Sequence, residues 1–437
     1  MMQPAERADA GKPAWAASLP HSWRTKKVKH VAKFTTGWTP PTGNAASYVG
    51  TNLWATIGDL GPKTLENTAN QISDEAARQS GIPLSQAGSL LFSFKLSVGQ
   101  VSIAGRPMFT NEAIATFAPE HDYSTRWAFY AFPVFIPENS AINIYGAKLL
   151  NQQRINDAFI PLPPLGEQDA IASYLDSETE RIDRLIEEKR RLAEMLVELR
   201  DGVIRERTTG ADLETELNAT GDKFMPALPV GWSLVSLGRY ARITNGSTPL
   251  KDNSSYWHGG HYPWLNSSVV NGDEVSEGSE LVTSEALRQC HLPIVPAGSV
   301  LVALTGQGKT RGQATVLRIE ATINQHLAAI ICDEEHLDGE FVFWALTGQY
   351  AALRMVSDGQ GGTKGALTCD ELGRFRIPKP PIDIQRSIAK ALYEETRRID
   401  NLLAHVEAEI ALLQELRSAT ITDAVLGRID VRHHTKN

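Results

Sequence analysis

Few side chains in this sequence stand at spacings that could make or break bonds. The nearest approach is Ala303-Leu-Thr-Gly-Gln307-Gly308-Lys309-Thr310, which fits a permissive phosphate-binding loop with Ala in the first glycine position. Downstream, Ala328-Ala-Ile-Ile-Cys332-Asp333-Glu334 imitates the apolar-then-acidic strand that would hold magnesium. The context argues against both. Such a loop needs a helix beginning at its Lys, so that backbone amides face the phosphates. Here Thr310 is followed by RGQATVLRI, a strand-like run, and the corresponding segment of the earlier half, FSFKLSVGQVS, carries no such loop. His258 and His261 in WHGGH lack a third ligand nearby and read as an exposed turn. Cys290, Cys332 and Cys369 match neither a zinc knuckle nor a disulfide framework and read as structural thiols. No Gly-x-Ser-x-Gly or His-Glu-x-x-His motif occurs. The residues therefore point to binding rather than catalysis.

What they could bind is written in where acid is missing. Asp and Glu number 51 among 437 residues and the net charge is −8, a balance that argues mildly against nucleic acid. Yet no acid occurs from Ala76 to Asn111 or from Ala286 to Ile319, windows that would each carry about four at the chain average. They retain Arg78, Lys95 and Arg106, and Arg288, Lys309, Arg311 and Arg318. A third stretch, Leu19–Lys33, has five Lys or Arg and no acid. Clearing carboxylates while keeping cations suits an anion-facing surface, because a nearby carboxylate repels phosphate. The alternative, that these windows are buried strands, accounts for the missing acids but not for the retained bases. On the anion-surface reading, neutralising Lys309 and Arg311 should flatten the salt dependence of DNA binding.

The elements that position these residues come in duplicate. LPHSWRTKKVKHVAKFTTGWTP at Leu19–Pro40 recurs as LPVGWSLVSLGRYARITNGSTP at Leu228–Pro249, IPLSQAGSLL at Ile82–Leu91 answers LPIVPAGSVL at Leu292–Leu301, and IPLPPLGEQ at Ile160–Gln168 answers IPKPPIDIQ at Ile377–Gln385. The chain is a tandem duplication. Each copy begins with Val-, Ile- and Thr-rich runs broken by turn residues, as short strands would be. Helical segments follow at Ser124–Phe135 and Gly339–Met355. A proline cluster then enforces extended backbone before a long helix.

Those helices carry the clearest periodicity. In the first, Ile171, Leu175, Ile182, Leu185, Leu192, Leu196, Leu199 and Val203 alternate four and three apart, interrupted at Glu178 and Lys189. In the second, Ile388, Leu392, Ile399, Leu402, Val406, Leu413 and Leu416 do the same, interrupted at Glu395, Glu409 and Thr420. Gly166 and Asp383 are candidate N-caps, and Gly210 and Gly427 can supply the left-handed stop. A 3.5-residue repeat makes a coiled-coil seam, for which the economical partner is the other copy's helix, antiparallel about a pseudo-twofold axis. Packing of each helix on its own β-rich domain is the alternative. The expected fold class is α+β. The expected layout is a polar tail (1–18), a β-rich domain (19–165), a long helix (166–210), a linker (211–227), a second β-rich domain (228–382), a second long helix (383–427) and a tail (428–437). No segment reads as a membrane span or secretory signal, so a cytoplasmic location is expected.

This order resembles a known family. The doubled Leu-Pro-x-x-Trp opening, the Gly-x-Thr-Pro turn (Gly37–Pro40, Gly246–Pro249), the Ile-Pro-x-Pro-Pro-x-x-x-Gln joint and the long capped helix look like the specificity subunit of a type I restriction-modification enzyme, over about residues 19–430. The second joint departs, with Ile384 where Glu167 stands in the first. The resemblance implies a non-catalytic subunit whose two target recognition domains each read half of a split DNA sequence. Its helices would set the spacing and dock two methyltransferase subunits, with up to two motor-nuclease subunits joining for restriction. S-adenosylmethionine, ATP and magnesium would then belong to the partners. A helix from Glu167 to Thr209 measures roughly 60 Å at about 1.5 Å per residue, so it suits half-sites more than one duplex turn apart. Inserting four residues should favour a target with a longer central gap. Base readout calls for fixed donor and acceptor pairs, which favours Trp38, Thr39, Lys95, Arg106, Ser247, Thr248, Gln307, Lys309 and Arg311, with Lys148 and Lys364 just before the joints. The competing readings are a phosphate-loop nucleotidase centred on Lys309 and a coiled-coil adaptor that binds proteins.

Overall fold

Each copy folds by closing its first strand against its last. Arg24–Lys27 pairs antiparallel with Phe159–Leu162, and Ser233–Ser236 pairs with Arg376–Lys379 in the same way. The joint prolines Pro161 and Pro378 lie in these two-stranded ribbons, where a missing backbone donor is tolerated. The computed structural model describes residues 12–142, 146, 148–306, 308–358 and 365–431. It divides into two compact units, Met1–Lys189 with Glu409–Asn437, and Arg190–Ala408. Each unit holds one β-rich domain and a part of each long helix.

Between the ribbon strands, both copies build the same two sheets. In the first, a five-stranded sheet runs Phe34–Thr36, Ile114–Phe117, Leu90–Ser93, Val101–Ala104, Thr64–Leu65, beside a three-stranded sheet Asn70–Ile72, Asn52–Ala55, Phe109–Thr110. In the second the orders are Ala241–Asn245, Leu327–Cys332, Val300–Ala303, Ala314–Leu317, Glu274–Val275, and Glu280–Val282, Tyr262–Leu265, Thr322–Ile323. The central strands Leu90–Ser93 and Val300–Ala303 are buried at every residue, so they read as continuous apolar runs. The helices Thr125–Phe135 and Gly339–Gly348 cover one face with Trp127, Phe132 and Phe135, and with Phe341, Phe343 and Trp344. The acid-free windows thus contain buried strands, which accounts for part of their composition.

The long helices span Leu165–Thr209 and Ile382–Val425. They begin one residue earlier than the spacing suggests. The carbonyls of Pro164 and Pro381 accept from the amides of Gln168 and Gln385, both at 3.0 Å, so Gly166 and Asp383 lie in the first turn rather than at the cap. The stops are left-handed as expected, with φ of 70° at Gly210 and 71° at Gly427. A side chain at either would also collide, since a Cβ on Gly210 would lie 2.6 Å from Pro229 and one on Gly427 2.6 Å from Pro20. Each helix therefore ends against a Leu-Pro-x-x-Trp opening.

Joint and domain are stapled by one buried amide. Gln168 donates to Pro163 O (2.9 Å) and accepts from Ser124 N (2.8 Å). Gln385 donates to Pro380 O (2.8 Å) and His336 O (3.0 Å) and accepts from Asp338 N (2.9 Å). The joint departure has a local meaning. Glu167 accepts from the Trp23 indole at 2.8 Å, whereas Ile384 offers no acceptor and stands 43% exposed.

The seam is partly displaced from its sequence pattern. Ile171, Leu175, Ile182, Leu196, Leu392, Ile399 and Val406 are buried, and Leu185, Leu192, Val203, Ile388 and Leu413 half-buried. Leu199, Leu402 and Leu416 are 52%, 54% and 47% exposed, while Ile186 and Ile204 are buried instead. A helix of 3.6 residues per turn drifts against a strict 3.5 repeat, which moves the inner face by one position. Ile171 and Leu175 share a core with Trp127 and Phe132 of their own domain, and also with Val425 at the end of the other helix and Leu426 just after it. Leu392 likewise joins its own domain's core together with Ile204. The two packing readings are therefore combined. Within the first unit Asp183 pairs with Arg417 (2.8 Å) and Lys189 with Glu409. Within the second, Arg200 pairs with Asp400 (2.9 Å) and Arg207 with Glu395 (2.8 Å). In each unit the pairs run in opposite directions along the two helices, as antiparallel packing requires. Glu178 instead pairs with Arg181 on its own helix.

The expected linker and tails also carry structure. Leu217–Ala219 forms a hairpin with Ala227–Pro229. Trp15 stacks near Phe135, and Val431 is buried in the first core. No helix among the described residues is long and apolar enough to cross a membrane.

Candidate nucleic-acid interface

Three loops meet at one end of each five-stranded sheet, and backbone bonds fix them there. The turn at 37–40 lies against the strand Phe109–Thr110, with Trp38 N donating to Thr110 O (2.9 Å). Its glycine is required by close approach, since a Cβ on Gly37 would fall 1.8 Å from Thr110 O and one on Gly246 1.6 Å from Ile323 O. An indole then locks the turn. Trp54 Nε1 donates to Trp38 O (2.9 Å), and Trp264 Nε1 to Ser247 O (3.1 Å). The loop after Leu90–Ser93 is tied to the loop before Ile114–Phe117 through Phe94 N to Ala113 O (3.0 Å), matched by Leu304 N to His326 O (2.8 Å).

The third loop bends through an Asn side chain. Asn111 Oδ1 accepts from Ala113 N (3.1 Å) and Asn324 Oδ1 from His326 N (3.0 Å). Each bend presents one exposed residue, Glu112 or Gln325. The threonine of the Gly-x-Thr-Pro turn holds it: Thr39 donates to Glu112 Oε2, and Thr248 to Gln325 Oε1 at 2.7 Å. The Thr39 hydroxyl, with Lys95 nearby, keeps the Glu112 carboxyl below the usual carboxylate range.

The expected contact residues fall into distinct settings. Lys95 and Lys309 are exposed on equivalent loops at this end, without an acid within 4 Å among the described residues. Thr248 is exposed, whereas Trp38, Thr39 and Ser247 are half-buried and Trp38 packs beside Trp54 and Ile72. Lys148 is exposed on the hairpin Ala141–Ile142 with Lys148–Leu149. The helix that follows, Gln152–Asp157, touches the strand leading into the turn, since Gln152 Nε2 donates to Thr36 Oγ1 at 3.1 Å. Arg106 is exposed but lies at the far end of the strand Val101–Ala104 from Lys95. Arg311 is only 5% exposed, beneath Gly365, so it is an interior side chain rather than a surface contact. Gln307 and Lys364 lie outside the described residues. Of the other bases in the acid-free windows, Arg78 pairs with Glu75, and Arg318 with Glu274 and Glu340.

Sequence reasoning missed Glu112, Gln325 and Leu96. Leu96 follows Lys95 with φ of 58° and 91% exposure, a left-handed, solvent-facing leucine at the loop tip. The signal for Glu112 was available, because it is the residue that ends the first acid-free window.

Among the described residues, Lys309 does not open a helix as a phosphate loop requires. Its carbonyl accepts from Tyr350 Oη at 2.6 Å, and the next regular element is the strand Ala314–Leu317, not a helix.

The description "Type I restriction modification DNA specificity domain" fits residues 20–194 and again 229–411. Among named relatives, the type I restriction enzyme MjaIX specificity subunit of Methanocaldococcus jannaschii is 21% identical, over 94% of this chain and 95% of the relative. The Escherichia coli type I restriction enzyme EcoBI specificity subunit is 20% identical over 76% and 71%. Among solved structures, a chain described under "complex assembly and conformational transition of the type I R-M system" superposes with a TM-score of 0.73 at 18% identity, covering 94% of this chain and 99% of that one. The HsdS subunit from Thermoanaerobacter tengcongensis gives 0.55 at 18% identity, over 94% and 98%. These likenesses concern the fold.

Proposed function

Because the chain belongs to the type I restriction modification DNA specificity family, we propose that it is the DNA-recognition subunit of such a system, each β-rich domain reading one half of a bipartite target. The observation that carries this reading is the doubled three-loop end. Both copies fix the same backbone with glycine, indole and Asn bonds, yet offer different exposed tips, with Lys95 or Lys309 beside them. Constant scaffolding with variable tips is what two readers of different sequences require. The exposed lysines supply phosphate attraction that the net charge of −8 conceals.

The finer assignments follow from the same reading. The long helices serve as spacer and as the docking site for two methyltransferase subunits, and up to two motor-nuclease subunits join for restriction. S-adenosylmethionine, ATP and magnesium sit on those partners, the chain itself being non-catalytic and cytoplasmic. The test is to express the chain with its cognate methyltransferase subunits and map modified bases across a genome. A single split, asymmetric target is expected; uniform or absent modification by an assembled complex refutes the reading.

A further inference from the structure

We propose that Glu112 and Gln325 are base-reading, specificity-determining residues at equivalent places in the two domains, with the Glu112 carboxylate taking the amino group of a cytosine and the Gln325 amide taking an adenine. This deepens the DNA-recognition reading and rests on it.

Three observations carry it. The first is placement. Each residue sits exposed at the tip of an Asn-bent loop, and its side chain is held by the turn threonine rather than left free to rotate. A base-reading side chain must be fixed in this way to discriminate by geometry. The second is charge. Glu112 is a carboxylate beside Lys95, at the end of a 36-residue stretch that has none. Holding the turn does not require that charge, because Gln325 holds the equivalent turn with a neutral amide. The third is remaining bonding capacity. Thr39 and the Glu112 backbone amide each occupy one lone pair of the Glu112 carboxylate, so an acceptor-only group with about two further sites stays exposed. In the major groove cytosine offers an amino donor alone, whereas adenine sets an acceptor beside its amino group and would repel a carboxylate. Gln325 uses part of its amide on Thr248 and His326 and keeps one N–H and one lone pair, the complement of adenine.

The test exchanges the two chemistries in the full chain assembled with its cognate methyltransferase subunits. Wild type, Glu112→Gln and Gln325→Glu are compared by mapping modified bases, and by binding to duplexes varied one base pair at a time. Glu112→Gln should switch preference at one base pair of one half-site, from cytosine to adenine on the contacted strand, by roughly 5- to 150-fold. The other half-site should be unchanged. Gln325→Glu should do the converse in the other half. Both variants retain an oxygen for the threonine hydroxyl, so a residue that only holds its turn predicts an unaltered target. A split target that neither variant changes overturns this inference alone. Evenly weakened binding at every base in both halves also overturns it. A wild-type complex that marks no split target overturns the underlying reading and this one with it.

Discussion

Replacing Gln168 by Ala removes a side chain with no exposure that closes two backbone groups, Pro163 O at 2.9 Å and Ser124 N at 2.8 Å. Among the described residues neither group makes another hydrogen bond, and Pro163 is buried while Ser124 is half-buried. A buried polar group left unpaired costs about 1–3 kcal/mol, so two such groups put the loss at about 2–6 kcal/mol. The midpoint of thermal unfolding should fall by roughly 4–24 °C for a unit of this size. Gln385→Ala orphans three groups, Pro380 O, His336 O and Asp338 N, and should cost somewhat more. Gln168→Glu should be at least as damaging as Ala, because a carboxylate cannot donate to Pro163 and would bury a charge. Chemical and thermal denaturation followed by circular dichroism measures all three. A loss below about 0.5 kcal/mol for Gln168→Ala, or a tolerated Glu, would falsify the view that this motif glutamine is a structural staple.

Other expectations follow from individual contacts. Arg200→Ala breaks pairs to Asp273 (2.8 Å) and Asp400 (2.9 Å), whose side chains are 51% and 43% exposed; solvent screening limits the loss to about 1–2 kcal/mol in denaturation. Lys95→Ala and Lys309→Ala should each reduce the slope of log affinity against log salt by about 0.9 in DNA titrations. Arg311→Ala, buried as it is, should lower stability and leave that slope alone. Burial works to raise the pKa of Asp176, but hydrogen bonds from Arg126, Lys63 and Tyr130 outweigh it and hold the carboxyl below its ordinary value of 3.8. Its contribution is therefore full above that ordinary value and lost as pH falls through the depressed one. Asp176→Asn should flatten the acid limb of the stability profile, and an unchanged limb would exclude Asp176 as its source.

The duplication, the strand-then-helix order, the joints and the helix stops were legible because each rests on local chemistry: glycine at positive φ, proline in an edge ribbon, apolar runs in central strands. The long-helix inner face was legible at Ile171, Leu175 and Ile182 but slipped at Leu199, Leu402 and Leu416, since a one-residue drift accumulates over many turns without any local mark. The DNA-facing candidates were judged from charge and type alone, which cannot separate Lys309 on a surface loop from Arg311 two residues on and buried. Nor could it pair Thr39 with Glu112, because their meeting depends on the strand Phe109–Thr110 lying against the turn. The docked Trp15 and Val431 show the same limit at the termini.

The closing of the second helix on the first opening has a consequence for how the molecule is made. Gly427 rests against Pro20 and Trp23, and Ala424, Val425 and Leu426 complete the core that contains Trp127 and Leu175. The unit Arg190–Ala408 is one continuous stretch, whereas the other needs both Met1–Lys189 and Glu409–Asn437. During synthesis the domain translated first is thus the one finished last. Part of its apolar core stays uncovered until residues 424–431 emerge, so that late stretch acts as the latch on the domain made first.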